Sequence, residues 1–354
     1  MSSSFLGFGN KVTGIDIGHR TVKGVRLSRR GKKVYLEQYF FTDLASVFSR
    51  FPEERDPERV LTAMIQIHKL TGSHTATAIP DEQVFNFELS LPQMPKSELQ
   101  AAVQFEVSNQ ARIPENELVI DFWDEAQGPI QKGANLHLRA FAARTEQVTQ
   151  HLGQLKKAGF KPLSVESVML ANVEALRHNG YILPSTQCAV IDLGDSETVT
   201  AFIRQGSLHY CRSEKTGGGA MNEALKGRLA ISYAEADKKK FEYRFNEKLE
   251  DSSLQEAMEG VYFRIFKSIK DSIEGYLEST PGAKLESIIL TGGGSRAPQI
   301  DEVIRGFFGI PVVIANPFKN IEIYPNSRAG RDEQIAKLAP QLTTAIGLAL
   351  RGVT

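Results

Sequence analysis

Two stretches of the chain carry the same alternation of apolar and polar positions. Val12-Thr13-Gly14-Ile15-Asp16-Ile17-Gly18 leads through His19-Arg20 into Thr21-Val22-Lys23-Gly24-Val25-Arg26-Leu27, which predicts strand, tight turn, strand. Cys188-Ala189-Val190-Ile191-Asp192-Leu193-Gly194 leads through Asp195-Ser196-Glu197 into Thr198-Val199-Thr200-Ala201-Phe202-Ile203 and predicts the same unit. The two Asp-x-Gly units stand 176 residues apart, close to half the chain, and no short repeat is visible. That spacing points to duplication of a whole domain rather than to a solenoid.

Between and after these units the pattern alternates helices with strands. A third strand is expected around Val34 to Phe41, after a basic turn holding Arg29, Arg30, Lys32 and Lys33 that reads as a solvated hairpin tip. A helix carries Val60, Leu61, Met64 and Ile65 on one face, and a strand-rich stretch runs from about Thr75 to Leu91. Ser97 with Gln100 predicts a capping box for a helix with Leu99, Val103 and Val107 inward. Strands near 117–124 and 135–143 flank a polar turn, Gln127 to Lys132. Thr145 is the expected cap of a helix with Val148, Leu152 and Leu155 inward, ended by Gly159, and another helix spans about Ser167 to Arg177.

The second half continues with a helix from about Ala220 and then a charged segment, Asp237 to Lys240. Leu254, Met258, Val261, Ile265, Ile269, Ile273 and Tyr276 fall at three- or four-residue spacing and predict one long amphipathic helix. Strand Ile288-Ile289-Leu290, the loop Thr291-Gly292-Gly293-Gly294-Ser295, a short helix, a strand from Pro311 to Ala315 and a last helix opened by Pro340 complete the reading. Such alternation, twice over, is that of an α/β protein.

Composition narrows the function classes. The chain has 354 residues, 41% hydrophobic and 24% charged, with 42 Lys+Arg balancing 42 Asp+Glu. A zero net charge lacks the basic excess that wraps nucleic acid or a membrane surface. Two cysteines, Cys188 and Cys211, make neither a disulfide framework nor a four-thiolate metal site, and Cys188 reads as a small buried hydrophobe. No signal peptide is apparent, and no run approaches the roughly 18 apolar residues of a membrane span. An intracellular protein is expected.

An Asp at a strand end with Gly two residues on has a physical use. The Gly permits a tight turn whose amides can cradle phosphate, and the Asp offers a carboxylate to Mg²⁺. Two such turns in a duplicated architecture can clamp a triphosphate between domains. Gly292-x-Gly294-x-x-Ala297 also matches a dinucleotide fingerprint, but the position about 20 residues later, where an acid should bind the ribose, falls in Val312 to Asn316 and holds none. No P-loop, no metal-spaced histidines and no nucleophile elbow occur; His68 and His151 read as solvated helix positions. Phe85, Phe87, Phe122, Trp123, Tyr262, Phe263 and Phe266 read first as core and second as a peptide groove.

Two phosphate hairpins followed by a glycine-rich loop is the order of the actin/Hsp70/sugar-kinase superfamily. Within it the chain resembles the PilM family, FtsA-like cytoplasmic proteins of type IV pilus assembly. Carrying the resemblance are Phe5 to Lys11, Gly14 to Gly18 with Val22-Lys23, Leu91 to Pro95, Gln104-Phe105-Glu106, Ile113-Pro114 and Asp121-Phe122. Leu155 to Pro162, Asp192-Leu193-Gly194, Gly292 to Gly294, Asn316-Pro317-Phe318 and Gly347 to Arg351 extend it over nearly the whole length.

The resemblance implies an actin-like, duplicated ribonuclease H-like fold of two lobes. The first lobe would be residues 1–184, with a small inserted FtsA-type subdomain at about 75–145; the second, 185–354, would carry the adenosine-flanking loop. It implies ATP and Mg²⁺ as cofactors. The first phosphate loop would use Asp16, Gly18, His19, Arg20, Thr21 and Lys23, and the second Asp192, Gly194, Asp195, Ser196 and Thr198. Asp237 and Lys240 would stand beside the ribose, Gly292, Gly293, Gly294 and Ser295 would flank the adenosine, and Asp16 and Asp192 would serve the metal. The implied partner is the amino-terminal cytoplasmic tail of a PilN-like inner-membrane protein, with other pilus proteins and self-association also allowed; the membrane is reached only through partners.

Two departures from the family pattern stand out: His19-Arg20 replace small Ser/Thr-type residues, and Asp195 with Glu197 makes the second loop acidic. No water-activating base is evident beyond Glu166 as a candidate, so weak hydrolysis at most is expected. The competing readings are a small-molecule kinase of the superfamily, an FtsA-type division protein, which would end in an amphipathic membrane helix, and a type II secretion L-type protein, which would continue into a membrane span.

Overall fold

The first repeated unit folds as a hairpin at the centre of a sheet. The computed structural model describes residues 11–44, 57–124, 133–245, 247, 252–324 and 329–353. In it β1 (Lys11–Ile17) and β2 (Thr21–Arg30) pair antiparallel, and β2 pairs antiparallel with β3 (Lys33–Asp43). β4 (His74–Ile79) lies parallel to β1, β8 (Lys161–Ser167) lies parallel to β4, and β14 (Glu322–Ile323) joins the far edge, giving the order β14-β3-β2-β1-β4-β8. Both faces of β1 are covered, so Thr13 and Asp16 are buried along with its apolar residues. Val12 packs into the core under the helix Thr343–Val353, while Ile15 packs on the opposite side with Val60, Leu61, Met64 and Ile65 of the helix Pro57–His68.

The second unit repeats that plan. β9 (Cys188–Leu193), β10 (Thr198–Arg204) and β11 (Ser207–Glu214) form the antiparallel part. β12 (Ser287–Thr291) and β13 (Val312–Ile314) add parallel, giving the order β11-β10-β9-β12-β13. Apart from the extra edge strand β14, the two sheets therefore share one strand order, and Asp16 and Asp192 are each the penultimate residue of the corresponding central strand. The helix Ser252–Ser279 covers the second sheet, with all seven of its predicted inward residues buried.

A third sheet, β5 (Val84–Leu91), β7 (Leu136–Arg144) and β6 (Leu118–Asp124) in the order β5-β7-β6, carries the helix Lys96–Ala111 on one face through Leu89, Val103, Val107 and Leu138. The expected strand-rich stretch from Thr75 to Leu91 is thus divided between two sheets, and the short turn Asp81–Gln83 makes the crossing. Gly347 lets the helices Thr343–Val353 and Val168–His178 cross closely, since a Cβ there would collide with the Ala171 carbonyl.

Several local expectations are corrected. Ser97 caps nothing: Pro95 holds the N-cap position and the helix begins at Lys96. Thr145 is the first residue of its helix, with Arg144 before it, although Gly159 ends that helix at φ 101° as expected. His151 is not solvated but hydrogen-bonds Thr77 Oγ1 at 2.8 Å, and His68 stacks on Phe40. Phe263 is 69% exposed rather than core. The expected turn Gln127 to Lys132 and the leader before Lys11 lie outside the described residues.

Candidate functional site

The two Asp-x-Gly turns close with the same hydrogen bond: Gly18 N donates to Thr21 O and Gly194 N donates to Glu197 O, each at 3.0 Å. Because each turn follows the central strand of its sheet, the fold brings the two together at one cavity of about 300 Å³. Its wall includes Asp16, Gly18, His19, Arg20, Thr21 and Lys23 from the first turn, and Asp192, Gly194, Asp195, Ser196 and Thr198 from the second. Asp237, Lys240, Gly292, Gly293 and Gly294 also line it. Ser295 is the exception: fully buried, it donates its hydroxyl to Gly292 O at 2.7 Å and fixes the glycine loop from behind.

Charge in the cavity is organised in pairs. Lys23 Nζ lies 2.6 Å from Asp16 Oδ2, both side chains being mostly buried. Burial alone would lower the Lys23 ammonium, but the Asp16 carboxylate outweighs it and holds the pKa above its ordinary value. Asp192 accepts from Thr291 Oγ1 at 3.1 Å. Burial pushes the Asp192 carboxyl up, against the opposing pull of Lys23. Burial would also raise Asp237, yet Lys240 at 2.8 Å and Arg20 hold it below the usual carboxylate range.

The two departures from the family pattern meet each other. His19 Nδ1 lies 3.2 Å from Asp195 Oδ2. Arg20 donates to Asp43 Oδ2 at 3.0 Å and to Asp237 Oδ1, and its guanidinium lies over the Tyr233 ring. Glu197 accepts from the Ser213 hydroxyl on β11. Burial raises the Glu197 carboxyl, against the opposing effect of the Ser213 hydrogen bond.

Glu166 is placed elsewhere. It lies on β8, does not line the cavity, and sits 3.2 Å from Arg351 Nε and among Glu174 and Asp121. Burial pushes it up to about 7. A pair formed with the last helix explains this position better than a base aimed at a bound ligand.

Residues not anticipated from the sequence complete the wall. Gly217 and Gly218 belong to the run Thr216-Gly217-Gly218-Gly219, and Gly218 N and Gly219 N donate to Gly194 O and Asp195 O at 3.0 and 2.8 Å. A side chain at Gly217 would collide with those same carbonyls. The signal was there, a glycine run opening a helix, Gly218–Leu229. Arg296, whose guanidinium lies 5.5 Å from the Phe241 ring centroid, and Gln341 also reach the cavity from distant segments.

The donor set fits a largely hydrated Mg²⁺, which takes only one or two protein carboxylates. Asp16 and Asp192, one from each repeated turn, are two carboxylates lining the same cavity, and the raised Asp192 carboxyl is one that a cation would relieve. Among the described residues no cluster of three or more His, Cys, Asp or Glu forms a dedicated metal cage.

A family model described as type IV pilus assembly protein PilM matches residues 14–353. Among solved structures, one described as a PilM-PilN type IV pilus biogenesis complex is 22% identical, with a TM-score of 0.80 over 97% of this chain and 98% of that one. The ethanolamine utilization protein EutJ from Carboxydothermus hydrogenoformans is 16% identical, with a TM-score of 0.52 over 97% of this chain and 90% of that one. These likenesses show the fold, which is α/β and actin-like.

Proposed function

The chain belongs to the PilM family of type IV pilus assembly proteins, and from that premise we propose that it is an actin-like, nucleotide-binding adaptor that docks the amino-terminal cytoplasmic tail of a PilN-like inner-membrane protein. The observation that carries the nucleotide half is the convergence of two matching Asp-x-Gly turns and two glycine runs on one cavity. Backbone amides at such turns suit phosphate oxygens, and Lys23 adds a buried cation. Asp16 and Asp192 would hold Mg²⁺, which supplies charge neutralisation of the phosphates. Gly292 to Gly294, with Arg296 and Phe241, offer a flat wall for adenosine, and Asp237 with Lys240 stand where a ribose would lie.

The partner half is supported by the family and by the similar solved structure, which is described as a complex of PilM with PilN. Among the described residues no helix is long and apolar enough to cross a membrane. A peripheral position at the inner membrane, held by the partner, follows from this reading. ATP would act as a structural or switching ligand, since a nucleotide stabilises a closed cleft only by its differential affinity for that state.

Titrating the purified protein in Mg-ATP against a synthetic peptide of the cognate PilN-like tail tests the proposal. Saturable binding is expected. No binding, with nucleotide shown to be bound, would overturn the adaptor role and leave the nucleotide site standing.

A further inference from the structure

His19 and Asp195 occupy the same place in the two repeated turns, 176 residues apart, and their side chains meet across the cavity. Arg20, the next residue, reaches from the first sheet's turn to Asp237 on the helix Tyr233–Lys239, while its other nitrogen is anchored to Asp43 at the end of β3. Each basic residue that is unusual for the first loop thus has its acid on the far wall, or on both walls. Isolated substitutions in a phosphate loop would leave either a cation awaiting phosphate or an acid repelling it. Here His19 lies 3.2 Å from Asp195, and Arg20 is paired with Asp237 and Asp43.

We propose that His19 and Arg20 are positioning residues rather than phosphate ligands. They tie the two sheets together across the mouth of the cavity and hold it closed before nucleotide arrives. The inference rests on the nucleotide-site reading and concerns how that site is regulated. Arg20 is suited to the role because its fork satisfies two carboxylates at once. Only 17% of its side chain is exposed, so water screens these contacts weakly. Asp237 is fixed on its other side by Lys240 and by Asn222 Nδ2 at 3.2 Å, so the tie pulls on a rigid post. Closure is thus built into these side chains, and nucleotide has correspondingly less to add.

Spin labels on the exposed residues Ile67 and Lys238 report the separation of the two walls by double electron–electron resonance. The nucleotide-free protein is expected to give one short, narrow distance distribution. His19→Ser with Arg20→Ser should shift it outward and broaden it. Arg20→Lys should restore part of the closed population. Melting curves monitored alongside separate an opened cleft from a lost fold. An open nucleotide-free wild type, or a double Ser variant with an unchanged distribution, would overturn the proposal. Adding Mg-ATP distinguishes the two readings. The double variant is expected to bind it and re-close. A wild type that is closed but binds no nucleotide would sink the nucleotide site while leaving the tie intact. Loss of binding in the double variant alone would make His19 or Arg20 a phosphate ligand and overturn the proposal.

Discussion

Lys23 sets its ammonium 2.6 Å from Asp16 across the first strand pair of the first sheet, the two residues facing each other in register. Neither group has much water, so each depends on the other. Lys23→Met would leave the carboxylate buried and unpaired, a loss of about 3 kcal/mol by the usual cost of breaking such a pair. The folded pKa of Lys23 is raised, so its stabilisation is fully present below the unfolded value and is lost only as pH rises through the folded one. Urea unfolding at neutral pH should show the loss, and the variant's deficit should shrink above about pH 10.5.

Asp192 predicts the opposite sign. Burial raises its carboxyl, so its ionised form opposes folding at neutral pH. Asp192→Asn keeps an acceptor for Thr291 and removes the charge. Without nucleotide the variant should melt at or above the wild-type temperature, as differential scanning calorimetry will read.

A pH dependence follows from Asp81 and Glu166. Asp81 is buried, accepts from Met169 N at 3.0 Å and is pushed up to about 7 by desolvation. Glu166 reaches about 7 for the same reason, against the pull of Arg351. Both groups hold protons in the folded state at pH values where the unfolded carboxyls, near 4, have lost them. Stability contributed by either is therefore present below about pH 4 and is lost as pH rises towards and through 7. Denaturant midpoints for Asp81→Asn should fall less steeply with pH over that window than those of the wild type.

Neighbouring glycines should differ. Gly292 adopts φ 82°, and a Cβ there would lie 2.6 Å from the Leu193 carbonyl and collide with Asp192. Gly293 has only the Gln341 side chain nearby, at 3.8 Å. Gly292→Ala should destabilise by about 2 kcal/mol or more and weaken nucleotide binding, whereas Gly293→Ala should fold as the wild type does. Thermal melts of the two variants side by side check this.

What was legible in the sequence was whatever depends on local order. Asp16 and Asp192 announced themselves because strand, turn and strand are contiguous, and the long helix because Leu254 to Tyr276 keep one period. Features set by the partner segment were not legible. β8 contains Lys161, Pro162, Ser164 and Glu166 and becomes a strand only because β4 lies beside it. Ser97 and Thr145 look like caps, but Pro95 and Arg144 already hold the extended geometry before each helix. His19 and Arg20 read as loop departures until the fold set them against Asp195 and Asp237. Gly217 and Gly218 were not legible because their run follows β11, whose Ser207 to Glu214 shows no clear alternation.

Calorimetric titration of Mg-ATP into the wild type, Asp16→Ala and Asp192→Ala tests the central claim most directly. The account predicts saturable binding to the wild type and at least about a tenfold loss of affinity in each variant, the equivalent of about 1.4 kcal/mol. Equal affinity in all three would contradict the assignment of the paired turns as a nucleotide clamp.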